Sequence, residues 1–384
     1  KRFYSFIFGL RNTTRLKLQD KLALYSLWLI FPLRWLSESS TAAIYHNGGF
    51  LTENTGKVLS LIVNPEYIEK PLWWSYSSVL AIFFIFLPYS RYMHIFTEVF
   101  LIIFRNAGIK VDSIDDSYSN FEVYSCPRCG ICIDKCQIAT DIGVKTTQSV
   151  YMLYNIRNKI DDRYLIDNCL LCGRCTEYCP IGIDLNRIRL TQRIKEDISL
   201  AEYSYLPIKS SLNALKEKDK IGYYAGCMTH LTPSIIESIK IIFKSAGLDF
   251  LFIDEKGSIC CGRPMKLAGF IEDANRIREK NERLIKESGI NLLITSCPIC
   301  MKMFKEDYNL NINIMHHTQF ILKLMNENKI NLSFSNKNVV YHDPCELGRG
   351  MKIYKEPRNI IKRMSILLNT KYNKNNSLCC GGAL

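Results

Sequence analysis

Two stretches of this chain set four cysteines at the same intervals. "CPRCGICIDKC" supplies Cys126, Cys129, Cys132 and Cys136, and "CLLCGRCTEYCP", 43 residues later, supplies Cys169, Cys172, Cys175 and Cys179. A secreted disulfide scaffold is short, whereas this chain has 384 residues and half of its 16 cysteines are separated by two residues. Thiols at that spacing share a metal more readily than they bridge one another.

The run C-x2-C-x2-C-x3-C lets a tight loop present three thiolates to one 4Fe-4S cube while the fourth points to a second cube. By that rule Cys126, Cys129 and Cys132 pair with Cys179, and Cys169, Cys172 and Cys175 pair with Cys136. Pro180 follows Cys179, but Gln137 stands after Cys136. The alternative, two zinc sites, ordinarily shows CxxC pairs separated by a longer loop. The other eight cysteines form a second repeat. Cys227 in "YYAGCMTH" is 118 residues before Cys345 in "YHDPCELGRG", and Cys260 and Cys261 in "CCGRP" precede Cys379 and Cys380 in "CCGGAL" at nearly the same offset. Cys297 and Cys300 in "TSCPIC" complete the first copy.

One cysteine, then CCG, then CxxC resembles the cysteine-rich CCG domain. Its pairing with a two-cluster ferredoxin motif resembles the catalytic subunit of heterodisulfide reductases and the iron-sulfur subunits of glycolate, lactate and anaerobic glycerol-3-phosphate oxidation. The resemblance runs from about residue 75 onward. It implies that Cys227, Cys260, Cys261, Cys297 and Cys300 hold a noncubane 4Fe-4S cluster beside the two cubanes. The second copy carries three of its five cysteines, Cys345, Cys379 and Cys380, so it is expected to be truncated and the chain to be an internal fragment.

Strand signals in "KIGYYAGCM", "LDFLFID", "NLLITSC" and "NVVYHDPC" alternate with helical stretches such as "SIIESIKIIFKSAG", which predicts an open parallel sheet. Ligands of such sheets sit beyond the carboxyl ends of the strands, where Cys227, Cys297 and Cys345 fall. Around the paired four-cysteine motifs, "TTQSVYMLYNIRNKI" and "IDLNRIRLTQRIKEDI" show helical periodicity and predict an all-helical ferredoxin unit. The organisation expected is a membrane region over 1–110, the helical ferredoxin over 111–215 with "VDSIDDSYSNFEVYS" as exit linker, a first CCG domain over 216–336, and the start of a second over 337–384.

The membrane region rests on hydropathy. Leu72 to Ser90 is free of charge over 19 positions and opens on a Trp pair, which predicts a transmembrane helix; a buried core helix is the alternative. Leu22 to Ile44 is a second, charge-bearing candidate. Lys1, Arg2, Arg11, Arg15, Lys17 and Lys21 flank one end of that hairpin and Arg91, Arg105 and Lys110 the other, which places both ends, and the cluster domains, on the cytoplasmic side of the membrane. "LPYSRYMHIF" resembles the haem-bearing nitrate reductase gamma subunit, in which a histidine at the position of His94 ligates haem b. The partner position in that pattern is Tyr76 here, and His46 is the only other histidine before residue 200, so the alternative is an interfacial His94 without a ligand role.

The +13 formal charge counts cysteine as neutral, and part of it offsets the negative charge of thiolate-bound clusters. No basic stretch is interleaved with base-stacking aromatics, so nucleic acid is not an expected partner. Dinucleotide, P-loop and zinc-protease motifs are absent, and no catalytic side chain is assigned. His316 and His317 are read as surface or capping residues, and His342 as a hydrogen-bond donor to a cluster.

The expected function is a membrane-anchored iron-sulfur electron-transfer subunit between a flavoprotein or other soluble redox subunit and the quinone pool, with a quinone or haem-bearing membrane partner. A thiol-disulfide enzyme of heterodisulfide reductase kind and an iron-sulfur subunit of a glycolate, lactate or glycerol-3-phosphate dehydrogenase are the redox alternatives. A zinc-stabilised scaffold is the non-redox one. Replacing Cys175 with Ser is expected to remove the cluster shared with Cys136 while the other cubane stays visible by EPR; loss of both from a folded protein contradicts the crossed pairing.

Overall fold

A computed structural model describes residues 14, 16–109, 117–194, 221–255, 257 and 259–382. Lys1, Arg2, Arg11, Arg15, Lys110, the first half of the expected linker and the 215/216 boundary lie outside the described residues. The chain divides into two compact units, Lys1–Asp134 with Leu153–Ile160, and Lys135–Met152 with Asp161–Leu384.

The first unit is helical. Helices α1 (Leu18–Tyr45), α2 (Phe50–Ile62) and α3 (Pro65–Phe86) pack together, followed by α4 (Met93–Asn106) and α5 (Ser117–Tyr124). Small and polar residues face inward: Ser26, Ser37, Ser39 and Ser40 of α1 are buried, and their hydroxyls donate to carbonyls up to one turn back. Outward lie Trp28, Phe31 and Trp74, each more than two-thirds exposed. Small inward residues let the backbones close up, so that a Cβ on Gly56 of α2 would sit 2.5 Å from the Ser39 carbonyl oxygen of α1. Between α1 and α3, the Trp73 indole donates to Thr41 Oγ1 at 3.0 Å, and Thr41 donates to Glu69 at 3.0 Å.

These helices correct the expected membrane hairpin. Among the described residues no helix is long and apolar enough to cross a membrane. The helix holding Leu72 onward begins at Pro65 with Glu66, Glu69 and Lys70 in its first turns, and it ends at Phe86 because the turn around Pro88 breaks it. Its charge-free part is therefore shorter than the ~20 residues a span requires. Leu22 to Ile44 lies inside α1, which carries Asp20, Lys21 and a paired Arg34 and Glu38 besides its serines. Tyr76 lies against the Arg34 guanidinium, 5.4 Å from the ring centroid, and the half-buried His94 ring bonds the Arg91 carbonyl.

Every regular element of the dicluster segment among the described residues is a helix: α6 (Ile131–Asp134), α7 (Gln137–Thr140), α8 (Ser149–Arg157), α9 (Arg163–Asp167), α10 (Arg174–Glu177) and α11 (Leu185–Arg193). Two caps fix its ends, Asp162 accepting from Leu165 N and Asp184 from Arg187 N, both at 3.1 Å.

The cysteine-rich part is α/β, as its strand signals predict. Strands β1 (Ile221–Tyr224), β2 (Phe250–Phe252), β3 (Leu292–Thr295) and β4 (Asn313–His316) form a parallel sheet in the order β2-β1-β3-β4. Helices α12 (Cys227–His230), α13 (Pro233–Ser245), α14 (Arg263–Ala268), α15 (Ile271–Glu287), α16 (Pro298–Glu306) and α17 (His317–Asn326) connect and cover it. Because strand residues alternate between faces, Tyr223 and Ile294 join one core with Phe243 and Phe320, while Tyr224 and Leu293 join the other with Phe304. A second, two-stranded parallel sheet, β5 (Asn338–Val340) with β6 (Ile366–Leu368), carries the later copy, with α18 (Lys355–Met364) between its strands.

Strand β4 was not anticipated, although the alternation Asn311, Ile312, Asn313, Ile314 marks it. It ends on His316, which caps α17: Nε2–H donates to the Ser296 carbonyl at 3.1 Å and Nδ1 accepts from Thr318 at 2.8 Å. The capping reading is right and the surface one is not, since His316 is buried. Burial pushes His317 down to about 4 and His316 well below its ordinary value. The unfolded chain binds these protons from about pH 6.5, so the stability that neutral His317 contributes is complete above that value. It is lost as pH falls towards about 4, by roughly 3 kcal/mol. Thermal unfolding of the native chain and of His317→Gln across that window is expected to show a shallower decline in the variant.

Candidate iron-sulfur site

In a parallel sheet of order β2-β1-β3-β4 the direction of winding reverses between β1 and β3, and the crevice beyond their carboxyl ends is the natural binding position. Tyr224 pairs with Thr295 at those ends. Cys227 follows β1 by three residues and Cys297 follows β3 by two. Gly226 has φ 84°, and a Cβ there would lie 2.7 Å from Cys297 Cβ and 3.0 Å from Cys300 Sγ, so only glycine lets the two loops approach this closely.

The thiols of the first copy meet there. Cys261 lies close enough to Cys260 and Cys300, and Cys300 to Cys297, for each to shift the other's protonation, and the charge of Cys297 is felt at Cys227. Cys261 and Cys297 are held below the ordinary thiol value by those sulfur contacts, and Cys300 is driven up as the shared donor. Cys261, Cys297 and Cys300 are buried against Tyr224 and Phe304, whereas Cys227 is exposed. Among the described residues no three His, Cys, Asp or Glu side chains converge on one ion-sized point. A cluster with several irons asks for something wider, since its thiolates are spread over several irons around a common core. Five thiols in one crevice, three of them in an apolar wall, fit that demand.

Polar residues that carried no sequence signal hold the loops. The Asp254 carboxylate, fully buried after β2, accepts from the amides of Ala225 and Gly226 at 2.7 Å each and lies 3.3 Å from His230 Nε2. Desolvation raises its pKa, and the two amide donors oppose that rise. Asn281 on α15 donates to the Cys260 carbonyl at 2.7 Å, Tyr308 donates to the Cys261 carbonyl at 3.1 Å, and Tyr224 to Ile259 at 2.8 Å. Asn281 was discoverable only as a polar residue on the buried side of an otherwise amphipathic helix.

Within the first unit, the loop of Cys126, Cys129 and Cys132 is secured from both sides. Arg157 donates to the carbonyls of Val123 and Cys126, the latter at 2.9 Å. Arg128 pairs at 2.6 Å with Asp20, a buried carboxylate that also accepts from the amides of Lys17 and Arg91. Within the second unit, Cys169, Cys172 and Cys175 lie within electrostatic reach of one another, and burial pushes Cys175 up to about 12. Adjacent residues of α8 and its approach touch two of the thiols: Gln148 reaches Cys136 Sγ at 3.9 Å and Ser149 Oγ reaches Cys175 Sγ at 3.4 Å. Gln137, the residue in place of the usual proline, exchanges two hydrogen bonds with the Cys379 backbone, at 3.0 and 2.7 Å.

In the later copy, Cys345 and Cys379 lie 3.9 Å apart; that contact lowers Cys379 to about 6 and raises Cys345. Cys380 is exposed. Glu346, next to Cys345, is buried between Arg263 at 3.5 Å and Lys302 at 3.2 Å, which ties the two copies together. His342 is exposed and the partner that orders its neighbourhood is Asp343, paired with Arg358 and bonded to the Lys374 amide at 2.6 Å. Asn281→Ala leaves the Cys260 carbonyl and the Tyr308 hydroxyl without this donor, at a cost of about 1–3 kcal/mol. Iron analysis after reconstitution is expected to show loss confined to the five-cysteine site, with the dicluster EPR signals kept.

Residues 221–305 and 339–384 match the cysteine-rich domain family, CCG, and residues 122–183 match the 4Fe-4S dicluster domain family. One component of the fumarate reductase (CoM/CoB) of Methanothermobacter marburgensis is 24% identical over 309 residues, covering 71% of this chain and 62% of that one. The EtfAB:quinone oxidoreductase of Syntrophomonas wolfei is 22% identical, covering 82% and 57%. One component of the dihydromethanophenazine:CoB–CoM heterodisulfide reductase of Methanosarcina mazei is 23% identical, covering 68% and 78%. The chain spans about half the length of the curated relatives it matches first, from 44% to 62%. No solved structure matches it. Residues 122–183 thus carry a 4Fe-4S dicluster domain and residues 221–305 and 339–384 CCG cysteine-rich domains, an assembly similar to one component of heterodisulfide reductase.

Proposed function

We propose that this chain is the iron-sulfur electron-transfer subunit of a respiratory oxidoreductase, passing electrons between a soluble flavoprotein and the quinone pool. The observation that carries the reading is the fastening of the Cys136 and Cys169–Cys179 loops to the α/β unit that holds the CCG cysteines, by side chains whose only visible work is to hold backbone in place. Bound clusters would each take up and release one electron with little change of geometry. Cys126, Cys129, Cys132 and Cys179 would hold one cubane, Cys136, Cys169, Cys172 and Cys175 the other, and Cys227, Cys260, Cys261, Cys297 and Cys300 a noncubane cluster. Buried thiols must lose their protons when iron binds, so loading releases protons and is favoured by rising pH.

Coverage supports the quinone side. A match over 82% of this chain necessarily reaches into the helical region before residue 110, and it comes from the relative named a quinone oxidoreductase. In this reading, exchange with the quinone goes through a membrane partner seated on the exposed aromatic faces of α1 and α3, and the clusters face the cytoplasm. His94 bonds the Arg91 carbonyl through Nδ1. The thiol-disulfide reading keeps one observation in its favour, the exposure of Cys227 at the mouth of the five-thiol site.

Anaerobically reconstituted protein is expected to absorb near about 400 nm and bleach with dithionite. A reduced electron-transfer flavoprotein should produce the same bleaching, and a soluble quinone should reverse it. Reoxidation by a disulfide but not by the quinone would favour the thiol-disulfide reading, and a colourless zinc protein would end both. A chain held at the membrane only through such a membrane partner is expected to be released by alkaline carbonate.

A further inference from the structure

Arg349 lies in the stretch "YHDPCELGRG", four residues after Cys345. It lies in the short π-helix Glu346–Gly350 directly after Cys345, and it is 93% buried by its 7% exposure. Its Nε–H donates to the carbonyl of Cys172 in the dicluster loop at 2.8 Å. Its Nη1 donates to the Ser377 carbonyl at 2.7 Å, to Ser377 Oγ at 3.0 Å and to the Asn375 carbonyl at 3.2 Å, all on the segment leading to Cys379. Its Nη2 is buried and has no hydrogen-bond partner among the described residues. The guanidinium charge is felt by three thiols, Cys172 on one side and Cys345 and Cys379 on the other, and Cys172 and Cys379 feel each other directly.

The surrounding contacts fall on the same seam. Gln137 holds the Cys379 peptide through both its donor and its acceptor. Arg174 and Tyr178, flanking Cys175, both donate to Asn376, at 2.8 and 3.1 Å, and Lys352 pairs with Glu177 at 2.5 Å. The first copy meets the dicluster segment differently, through Arg193 and the carbonyl of Leu267, and its thiols interact among themselves.

We propose that Arg349 is a positioning residue that makes the later cysteine copy, Cys345 with Cys379 and Cys380, the redox neighbour of the centre held by Cys136, Cys169, Cys172 and Cys175. The inference rests on the electron-transfer reading above. Exchange between the two is a single electron passing between the cubane and an iron-sulfur centre that Cys345, Cys379 and Cys380 would help to hold, with no bond made or broken. A fixed positive charge within reach of both stabilises whichever has just become more negative, and it does so most in a site that excludes water. The free Nη2 donor suits a thiolate or sulfide acceptor, and the buried charge is tolerable because its other donors are satisfied.

The test is an EPR-monitored redox titration of the iron-loaded chain, with dithionite as reductant, following the centre that Cys175→Ser removes. Arg349→Gln is expected to move the midpoint of that centre to more negative potential, and Arg349→Lys, which keeps the charge and supports folding, to recover most of the shift. The other cubane should stay in place. Cys379→Ser should perturb the same centre, and Cys261→Ser should not. An unmoved midpoint in folded Arg349→Gln, an equal shift of both cubanes, or an effect of Cys261→Ser as large as that of Cys379→Ser overturns the inference alone. A wild-type chain without iron-sulfur signals overturns the electron-transfer reading and this inference with it.

Discussion

Buried guanidinium groups bonded to main-chain carbonyls hold this molecule's chemistry in position. Cysteine loops have little core of their own, because their side chains are committed to metal, so their backbone must be fastened by something else. Arg157 holds the loop of Cys126, Arg349 that of Cys172, and Arg193 donates to Ile166, Asp167 and Cys169. Arg189, 1% exposed, joins the Thr147 carbonyl at 2.9 Å to that of Leu165. Each such bond involves a charged donor and contributes about 1.5–3 kcal/mol where the geometry is good. Burial lowers the pKa of Arg157 and Arg193 through desolvation, and the nearby cysteines Cys126 and Cys169 oppose that fall. The cost of burying these cations falls when the thiolates and clusters they face are negative. The +13 charge of the sequence is thus partly structural.

The same dependence explains what could be read from sequence and what could not. Cysteine spacing is covalent information, so the domain types follow from it, and the strand signals place Cys227 and Cys297 at strand ends before any coordinates are known. The fasteners are single residues far from the cysteines in sequence. Asp254, Asn281 and Tyr308 act through amides and carbonyls that every residue possesses, which leaves no pattern to detect. Gln137 was visible as a departure from proline, but its partner lies 242 residues away. Strand β4 was passed over because it is short and runs directly into a helix at His317.

Hydropathy misled over the first 110 residues for a related reason. A window average registers how many apolar residues there are and not where the helix starts, where Pro88 stops it, or which face they occupy. The described helices turn Ser26, Ser37, Ser39 and Ser40 inward and Trp28, Phe31 and Trp74 outward, which leaves a wide apolar surface. Its amphipathic pattern is therefore reversed relative to that of α13 or α15, whose apolar residues face the sheet.

At the end of α11, beside the Arg193 side chain, the main chain of the helical segment touches the cap of α14 directly: a Cβ on Gly269, at φ 93°, would lie 2.0 Å from the Arg193 carbonyl oxygen. Main chain resting on main chain leaves no layer of rotamers that could slide or swing. A joint of this kind does not act as a hinge, so the spacing between the centres on either side of it is set when the chain folds and not by each turnover. Transfer across it should follow driving force and have little activation enthalpy from conformational gating, with any slow, strongly temperature-dependent step lying where a partner arrives or leaves.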